Sequence, residues 1–404
     1  MNHSRVLRAT NIVLLVSGYQ IYWLDSKTQR FRLSLPGIVH ILVLAGIYAA
    51  CIAQHFDATS SMLTILQNVS KFLHGLTRLQ LLLGVKVFVY AVYSSVRAVG
   101  VINPLLESLA GKAASGFRKE EAMAYALLVS TFGVLLCFGF YIAYEMKFEL
   151  PPLQDAMIGT ALFMPHLCLA GSLRLYNILA WLTRDKLKEI QANVEEALAV
   201  NGKKDELEMA CTSLTVSVSN SSSDNLESLR QQLQLLGSRF GDFFKAMQHS
   251  LLFLVTMNGN CLLFGIYSYI YYRNTWHVLF EDRKRRIFYA ANASIYACIA
   301  CDYLCLLLVQ FLMEKERLGM LKSLESFLIQ RNSLSKRIRS LAKDIKGTLA
   351  NTFQHKFLCL WRFDVLHFVL LLFFQGLIFA LIVMYHFLSD EILQLREQLD
   401  SSDE

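Results

Sequence analysis

The sequence predicts an all-α integral membrane protein that crosses the bilayer through seven transmembrane helices. Three observations predict it. Of the 404 residues, 54% are hydrophobic and 18% charged, with a mean hydropathy of +0.39; a water-facing surface needs more charge, so lipid is the implied solvent. Seven stretches stay apolar over the roughly 20 residues that a hydrocarbon core of about 30 Å requires. Only 5 prolines occur in the chain, which leaves long helices uninterrupted.

The stretches are 36–55, 74–102, 123–144, 156–182, 249–272, 287–311 and 363–388. The second is the least continuous, because Arg78, Lys86 and Arg97 fall within it. Residues 11–24 are apolar but short, include Tyr19 and Gln20, and lack a small-residue cleavage site. They read as an interfacial or cytosolic helix, not a signal peptide.

Lys and Arg set the orientation. Residues 1–35, 103–122, 183–248 and 312–362 hold 27 of them, and the alternate connections hold 8. Basic loops stay in the cytoplasm, so the N-terminus is expected inside and the C-terminus outside. The run Arg283, Lys284, Arg285, Arg286 dissents, falling on the outer side. Asn68-Val69-Ser70 is a glycosylation sequon that this topology places outside; those at Asn2 and Asn220 fall inside.

Two cytoplasmic connections are patterned. Leu226, Leu229, Leu233, Leu236, Phe240, Phe243 and Met247 alternate spacings of three and four, an apolar seam of period 3.5. Leu318, Leu321, Leu324, Leu328, Leu334, Ile338, Leu341, Ile345 and Leu349 nearly repeat it, interrupted by Arg331. The second helix carries Lys336, Arg337, Arg339, Lys343 and Lys346 on its other faces. Membrane-surface binding would suit such a stripe, but two loops sharing a period favour a cytosolic helix bundle. The Ser-rich residues 212–223 read as a flexible insertion. The expected organisation is a cytoplasmic segment 1–35, six spans over 36–311 with the helical loop 183–248, an anchor helix 312–362, a last span 363–388 and an outer tail 389–404.

Enzymatic signals are absent. No Gly-rich phosphate loop, His-Glu-x-x-His or Gly-x-Ser-x-Gly occurs, and no cofactor or nucleic-acid partner is implied. An intramembrane protease would need paired acids, and only Asp302 and the membrane-edge Asp364 are placed for it. Cys298, Cys301 and Cys305 share helical spacing, but without a His among them they read as packed thiols and not a metal cluster. A charge in the bilayer centre costs about 2.5 kcal/mol or more. Lys86 and Asp302 lie at depths differing by roughly 6 Å at 1.5 Å per residue, so an intramembrane ion pair is expected, as a packing device or an ion-coupling site.

Aromatic residues crowd the outer halves of the spans: Tyr141 and Tyr144, then Phe163 with His166, then Tyr267 and Tyr271, then Tyr289, Asn292 and Tyr296. An interfacial belt accounts for part of this; the interspersed His and Asn also suit a pocket for a small, partly apolar ligand.

A G-protein-coupled receptor meets three objections. The charge bias puts the N-terminus inside, the third and seventh spans lack that family's Asp/Glu-Arg-Tyr and Asn-Pro-x-x-Tyr, and no Pro follows Pro165. The sequence instead resembles the insect gustatory receptors. Gly18 followed by residues 25–34 looks like that family's pre-membrane segment, and Leu360-Trp361-Arg362-Phe363-Asp364 like its Leu-Phe-x-apolar-Asp. The family's final motif is Thr-Tyr, five apolar residues, then Gln-Phe. Here the frame reads Phe379-Ala380, then Leu381 to Tyr385, then His386-Phe387, with only Phe387 identical.

The resemblance implies a ligand-gated, non-selective cation channel, a homo- or heterotetramer with other gustatory receptors whose seventh helices line one pore. His386 and Phe387 fall at its gate, where a ring of Phe closes by dewetting. A His there, cationic in acid, would oppose cation entry. Asp390 and Glu391 would ring the outer mouth. Loss of the final motif points to a divergent branch sensing bitter or other non-sugar tastants, in the plasma membrane of gustatory sensory neurons (dendrites, cell body, axon). A secondary transporter coupled through Lys86 and Asp302 is the alternative, ahead of a G-protein-coupled receptor.

Overall fold

The fold is known from a computed structural model that describes residues 3–18, 21–25, 27–28, 30–56, 61–109, 118–147, 153–208, 216–279, 282–330, 336–353, 356–357, 361–362 and 365–402. Helix α1 (His3–Val16) leads into a hairpin of β1 (Tyr22–Asp25) and β2 (Arg30–Leu33), and α2 (Leu35–Phe56) follows. Then come α3 (Ser61–Val69), α4 (Lys71–Leu109), α5 (Arg118–Glu145), α6 (Leu153–Glu208), α7 (Val216–Leu279), α8 (Asp282–Gln330) and α9 (Lys336–Thr352). A second small hairpin, β3 (Lys356–Phe357) with β4 (Trp361–Arg362), precedes α10 (Val365–Ser402). Among the described residues seven helices, α2, α4, α5, α6, α7, α8 and α10, are long and apolar enough to cross a membrane, which makes this a multi-pass membrane protein of all-α class.

The helix ends follow local chemistry. Ser34 caps α2, its Oγ accepting from the Gly37 amide at 3.4 Å, with Pro36 in the first turn where no amide partner is needed. Ser70 caps α4 in the same way through the Leu73 amide, 3.3 Å. Gly18 ends α1 at φ +69°, a left-handed position that a side chain would strain.

Residues 11–24 are not one helix. The first part belongs to α1, and Tyr22 to Asp25 form a strand whose partners are Leu33 to Arg30. Alternation drives this: Tyr22, Leu24 and Phe31 are buried while Trp23 and Arg32 face out. The Lys27 amide and then the Thr28 hydroxyl bond Asp25 and hold its carboxyl below the usual range. That turn is therefore fully stabilised at neutral pH and loses the contribution as pH falls through the lowered value. The end of α1 reaches further than an interfacial helix would. The Leu15 carbonyl meets His40 at 2.9 Å, and Gly18 packs on Leu44, nine residues into α2 and so about 13 Å along it.

Helix α6 is the axis of the body. From Cys168 to Arg184 every residue is buried, and α1, α2, α4, α5, α7 and α8 all pack on it. The second stretch is one unbroken helix because Arg78, Lys86 and Arg97 lie on the exposed side of α4. The two patterned seams are extensions of the spans. Helix α7 spans 64 residues, about 96 Å at 1.5 Å per residue. It carries Leu226 to Met247 buried against α6 and α9, where Ile338, Leu341, Ile345 and Leu349 are buried in turn. Of the Ser-rich stretch, 212–215 lie outside the described residues and the remainder opens α7.

The expected Lys86–Asp302 pair is not formed. Asp302 pairs with Arg174 of α6, and Thr131 of α5 donates to its Oδ1 at 2.7 Å. Lys86 faces away from the core. Both ends of the pair are buried, Arg174 completely. Removing one partner of a buried pair leaves an uncompensated charge and costs roughly 3–5 kcal/mol, whereas replacing both by apolar groups costs far less. Asp302→Ala should therefore lower the thermal unfolding midpoint of the detergent-extracted protein sharply. The double change Asp302→Leu with Arg174→Met should recover most of that loss. Equal destabilisation by the single and double changes would refute the pairing.

Candidate functional site

The C-terminal end of α7 carries Tyr267, Tyr271, Tyr272 and Trp276 at helical spacing. With Leu66 of α3, Phe72 and Leu73 of α4 and Phe288 of α8 they form an aromatic nest separate from the main core. Tyr267 is buried in it, its ring centroid 4.6 Å from Phe72 and 4.7 Å from Tyr271. Trp276 Nε1 donates to Ser268 Oγ at 2.9 Å, which satisfies the buried indole.

The last helix docks on this nest. The Tyr271 hydroxyl donates to the Val383 carbonyl at 2.8 Å, an acceptor inside α10. The His386 ring sits 4.5 Å from Phe72 and 5.3 Å from Tyr267. Lower down, Gln375 Nε2 donates to the Val255 carbonyl at 3.3 Å. Gly259 of α7 has no side chain where Gln375 and Phe379 lie, and a Cβ there would overlap the Gln375 amide. Gln375, Phe379, Val383 and His386 fall at steps of four, four and three, one face of a helix. Phe387 is a further 100° round and is 58% exposed.

That divides the expected gate pair. His386 turns into this chain's own aromatic nest, so the expected acid block through a His-lined pore loses its basis. Phe387 belongs to the outward face, with Phe373, Leu377, Leu381 and Met384. No residue of the last span, Val369–Ser389, is buried within the chain. The side chains of Asp390 and Glu391 lie outside the described residues, as do Phe363 and Asp364.

The nine expected pocket residues separate into several groups. Tyr267 and Tyr271 join the nest. His166 belongs to a polar junction: Gln80 of α4 approaches its Nε2 at 2.7 Å, and Cys261 of α7 at 3.3 Å. Asn260 of α7 donates to Gln80 Oε1 at 2.7 Å and to the Leu76 carbonyl at 3.0 Å. With the Gln80 amide and the Cys261 thiol as donors, Nε2 is the acceptor and the ring proton sits on Nδ1. Gln80 and Asn260 were not singled out from the sequence, although neutral polar groups inside spans were visible there.

Of the remaining expected residues, Tyr141 lies on α5 and Tyr289, Asn292 and Tyr296 on α8, near the contacts of α8 with α5 and α7. Tyr141 donates to Glu145 at 3.0 Å, and Glu145 accepts from Nε and Nη2 of Arg286, at 3.2 and 3.0 Å. Arg285 pairs with Asp282 at 2.7 Å, so two of the four cations that dissent from the charge rule are paired with acids at the same end of the bundle. Tyr296 packs its hydroxyl against Gly265, Asn292 donates to the Phe288 carbonyl at 3.0 Å, and the Tyr289 ring lies 5.9 Å from that of Phe288. Phe163 is half-buried on α6. Tyr144 points outward, 74% exposed, and is removed from the pocket. Asn68 is exposed on α3. Cys298 and Cys305 pack on α5, at 4.0 Å from the Thr131 carbonyl and 3.4 Å from Ser130 Oγ, as thiols inside a helix interface.

No protein-family model matches this sequence, and no curated protein does. Solved structures do. The insect olfactory receptor OR5 from Machilis hrabei superposes with a TM-score of 0.56 at 11% identity, over 94% of this chain and 97% of that one. Its complex with eugenol matches equally, with a TM-score of 0.56 at 11% identity. The chain has the fold of an insect olfactory receptor. The superposition leaves only a small part of either chain uncovered, so the shared architecture is that of the whole helical body and not of one part of it.

The link between α7 and α10 is testable. A neutral hydrogen bond contributes about 0.5–1.5 kcal/mol, so Tyr271→Phe should shift the docking of α10 by roughly two- to tenfold. Alkylation of a cysteine placed at Val383 should speed up by that factor in the Tyr271→Phe background. An unchanged rate would mean that the bond does not hold the helix.

Proposed function

We propose that this chain is one subunit of a ligand-gated, non-selective cation channel, a gustatory-type chemoreceptor for bitter or other non-sugar compounds. The subunits form a homo- or heterotetramer with related receptors, N-termini inside, in the plasma membrane of gustatory sensory neurons. The observation that carries the reading is the end-to-end correspondence with a receptor solved both alone and with eugenol. The gustatory assignment draws its support from the spacing around Phe387 and from the segment at 25–34.

The unburied α10 supports the same reading. A span with no buried residue of its own is covered by lipid or by other copies, and a ring of such helices around one axis is a pore. Phe387 then supplies the dewetting constriction, and Asp390 and Glu391 the cation-concentrating mouth. A ligand bound among the outer ends of α5, α7 and α8 changes the packing of α7. Tyr267 and Tyr271 pass that change to Val383 and His386. Opening follows if the ligand binds more tightly to the arrangement in which α10 has moved. The transporter alternative loses its coupling pair, since Asp302 is committed to Arg174.

The decisive experiment expresses the chain, alone and with partner receptors, in a cell without G-protein signalling and screens bitter compounds. The reading predicts an inward cation current that follows ligand addition without delay. Saturable uptake of the compound with a stoichiometric coupled current, and no channel openings, would overturn it in favour of a transporter.

A further inference from the structure

The N-terminal hairpin has an outer face that the proposed function does not use. Residues directly opposite in an antiparallel pair share a face. The register pairs Trp23 with Arg32 and Asp25 with Arg30, and this is the face turned away from the core. Trp23 is 51% exposed, and the side chains of Arg32 and Arg30 are 63% and 56% exposed. The opposite face is buried through Tyr22, Leu24 and Phe31.

The hairpin is rigidly placed. Tyr22 donates to the Val96 carbonyl of α4 at 2.7 Å. Asn103 grips Phe31 by both backbone groups, at 2.8 and 3.0 Å, and Arg30 reaches Glu107 at 2.5 Å. The strands therefore run beside α4 from residue 96 to residue 107, about 16 Å at 1.5 Å per residue. Strand β2 ends at Leu33, and the first membrane helix starts at Leu35, which is 74% exposed. An exposed Trp and two exposed Arg thus stand where the chain enters the bilayer. Arg97, next to Val96, is exposed at the same level.

Each guanidinium spends one nitrogen on its carboxylate: Nη2 of Arg30 on Glu107, and Nε of Arg32 on Asp25 at 3.5 Å. The remaining N–H groups of each planar fork match a phosphate. Trp prefers the headgroup level, where its ring is in the acyl boundary and its N–H stays wet. The face stands beside Leu35, the exposed first residue of the first membrane helix, which favours a lipid headgroup over a soluble protein partner. We propose that the outer face of the β1–β2 hairpin is a binding site for anionic phospholipid headgroups of the adjoining leaflet. Trp23 seats at the headgroup level, and Arg30 and Arg32 hold the phosphate. With the N-terminus inside, that leaflet is the cytosolic one, which carries the anionic lipids.

The test uses the full-length protein in phosphatidylcholine nanodiscs doped with dansyl-acyl phosphatidylserine or dansyl-acyl phosphatidylcholine. Both leaflets are identical there, so the result is independent of orientation and of channel function. Energy transfer from tryptophan to dansyl should be greater for the anionic probe, and the difference should vanish in Trp23→Phe. A Lys or Arg at such a surface is worth about fivefold in binding, so Arg30→Gln with Arg32→Gln should weaken the serine-probe titration at least about fivefold. Arg283→Gln with Lys284→Gln, at the other end of the bundle, should leave it unchanged. If the double Arg variant fails to fold, the wild-type signal in 1 M salt serves instead, and loss of the preference there supports the site. Equal transfer from both probes overturns the proposal. So does absence of a Trp23 component, the result expected if a second copy covers the hairpin.

Discussion

Arg174 carries its charge on a helix from which other helices exclude water on every side, and the positions of three helices follow from that. The guanidinium must meet a carboxylate, so α8 is fixed at the turn that presents Asp302. The carboxylate in turn takes the Thr131 hydroxyl, so α5 is fixed as well. Rotating α6 or α8 away from this facing would leave a buried charge without its partner, and rotating α5 away would cost the carboxylate its Thr131 hydrogen bond. Nearer the aromatic nest, Gln80, His166 and Asn260 do the same for α4, α6 and α7 with neutral groups. Two polar clasps on one axial helix therefore hold a body in which small displacements are costly.

Helix α10 belongs to neither clasp. It meets the body through the Tyr271–Val383 and Gln375–Val255 hydrogen bonds and the contacts of His386 with two rings. A rigid body with one lightly held apolar helix is a physical basis for a two-state device. The body can bias the helix, and the helix can move without undoing the core. The aromatic nest is where the two meet, and it draws on α3, α4, α7, α8 and α10.

Much of this was readable from residue spacing. Apolar length located all seven spans, and the period of 3.5 through Leu226 to Met247 identified a buried seam before any partner was known. Partners across the bundle were not readable. Counting residues gives depth along a helix but not its rotation, so Lys86 and Asp302 matched in level while Lys86 faced outward and Arg174 faced in. His386 and Phe387 are neighbours in a motif, yet consecutive helical residues point 100° apart, so one pore axis cannot receive both side chains equally. The nine aromatic and polar pocket candidates share a level and not a cluster, for the same reason. The first hairpin carried its signal in the alternation of Tyr22 to Asp25, which the longer apolar run from residue 11 obscured.

The account stands on the outward face of α10 being shared among copies. A cysteine at Phe387 measures that directly in the assembled protein. Oxidation should link Phe387→Cys subunits into dimers, and a charged thiol reagent applied from the aqueous side should modify the residue only while ligand is present. Modification by a lipid-soluble reagent alone, with no cross-linking under oxidation and no dependence on ligand, would place that face in lipid and contradict the account.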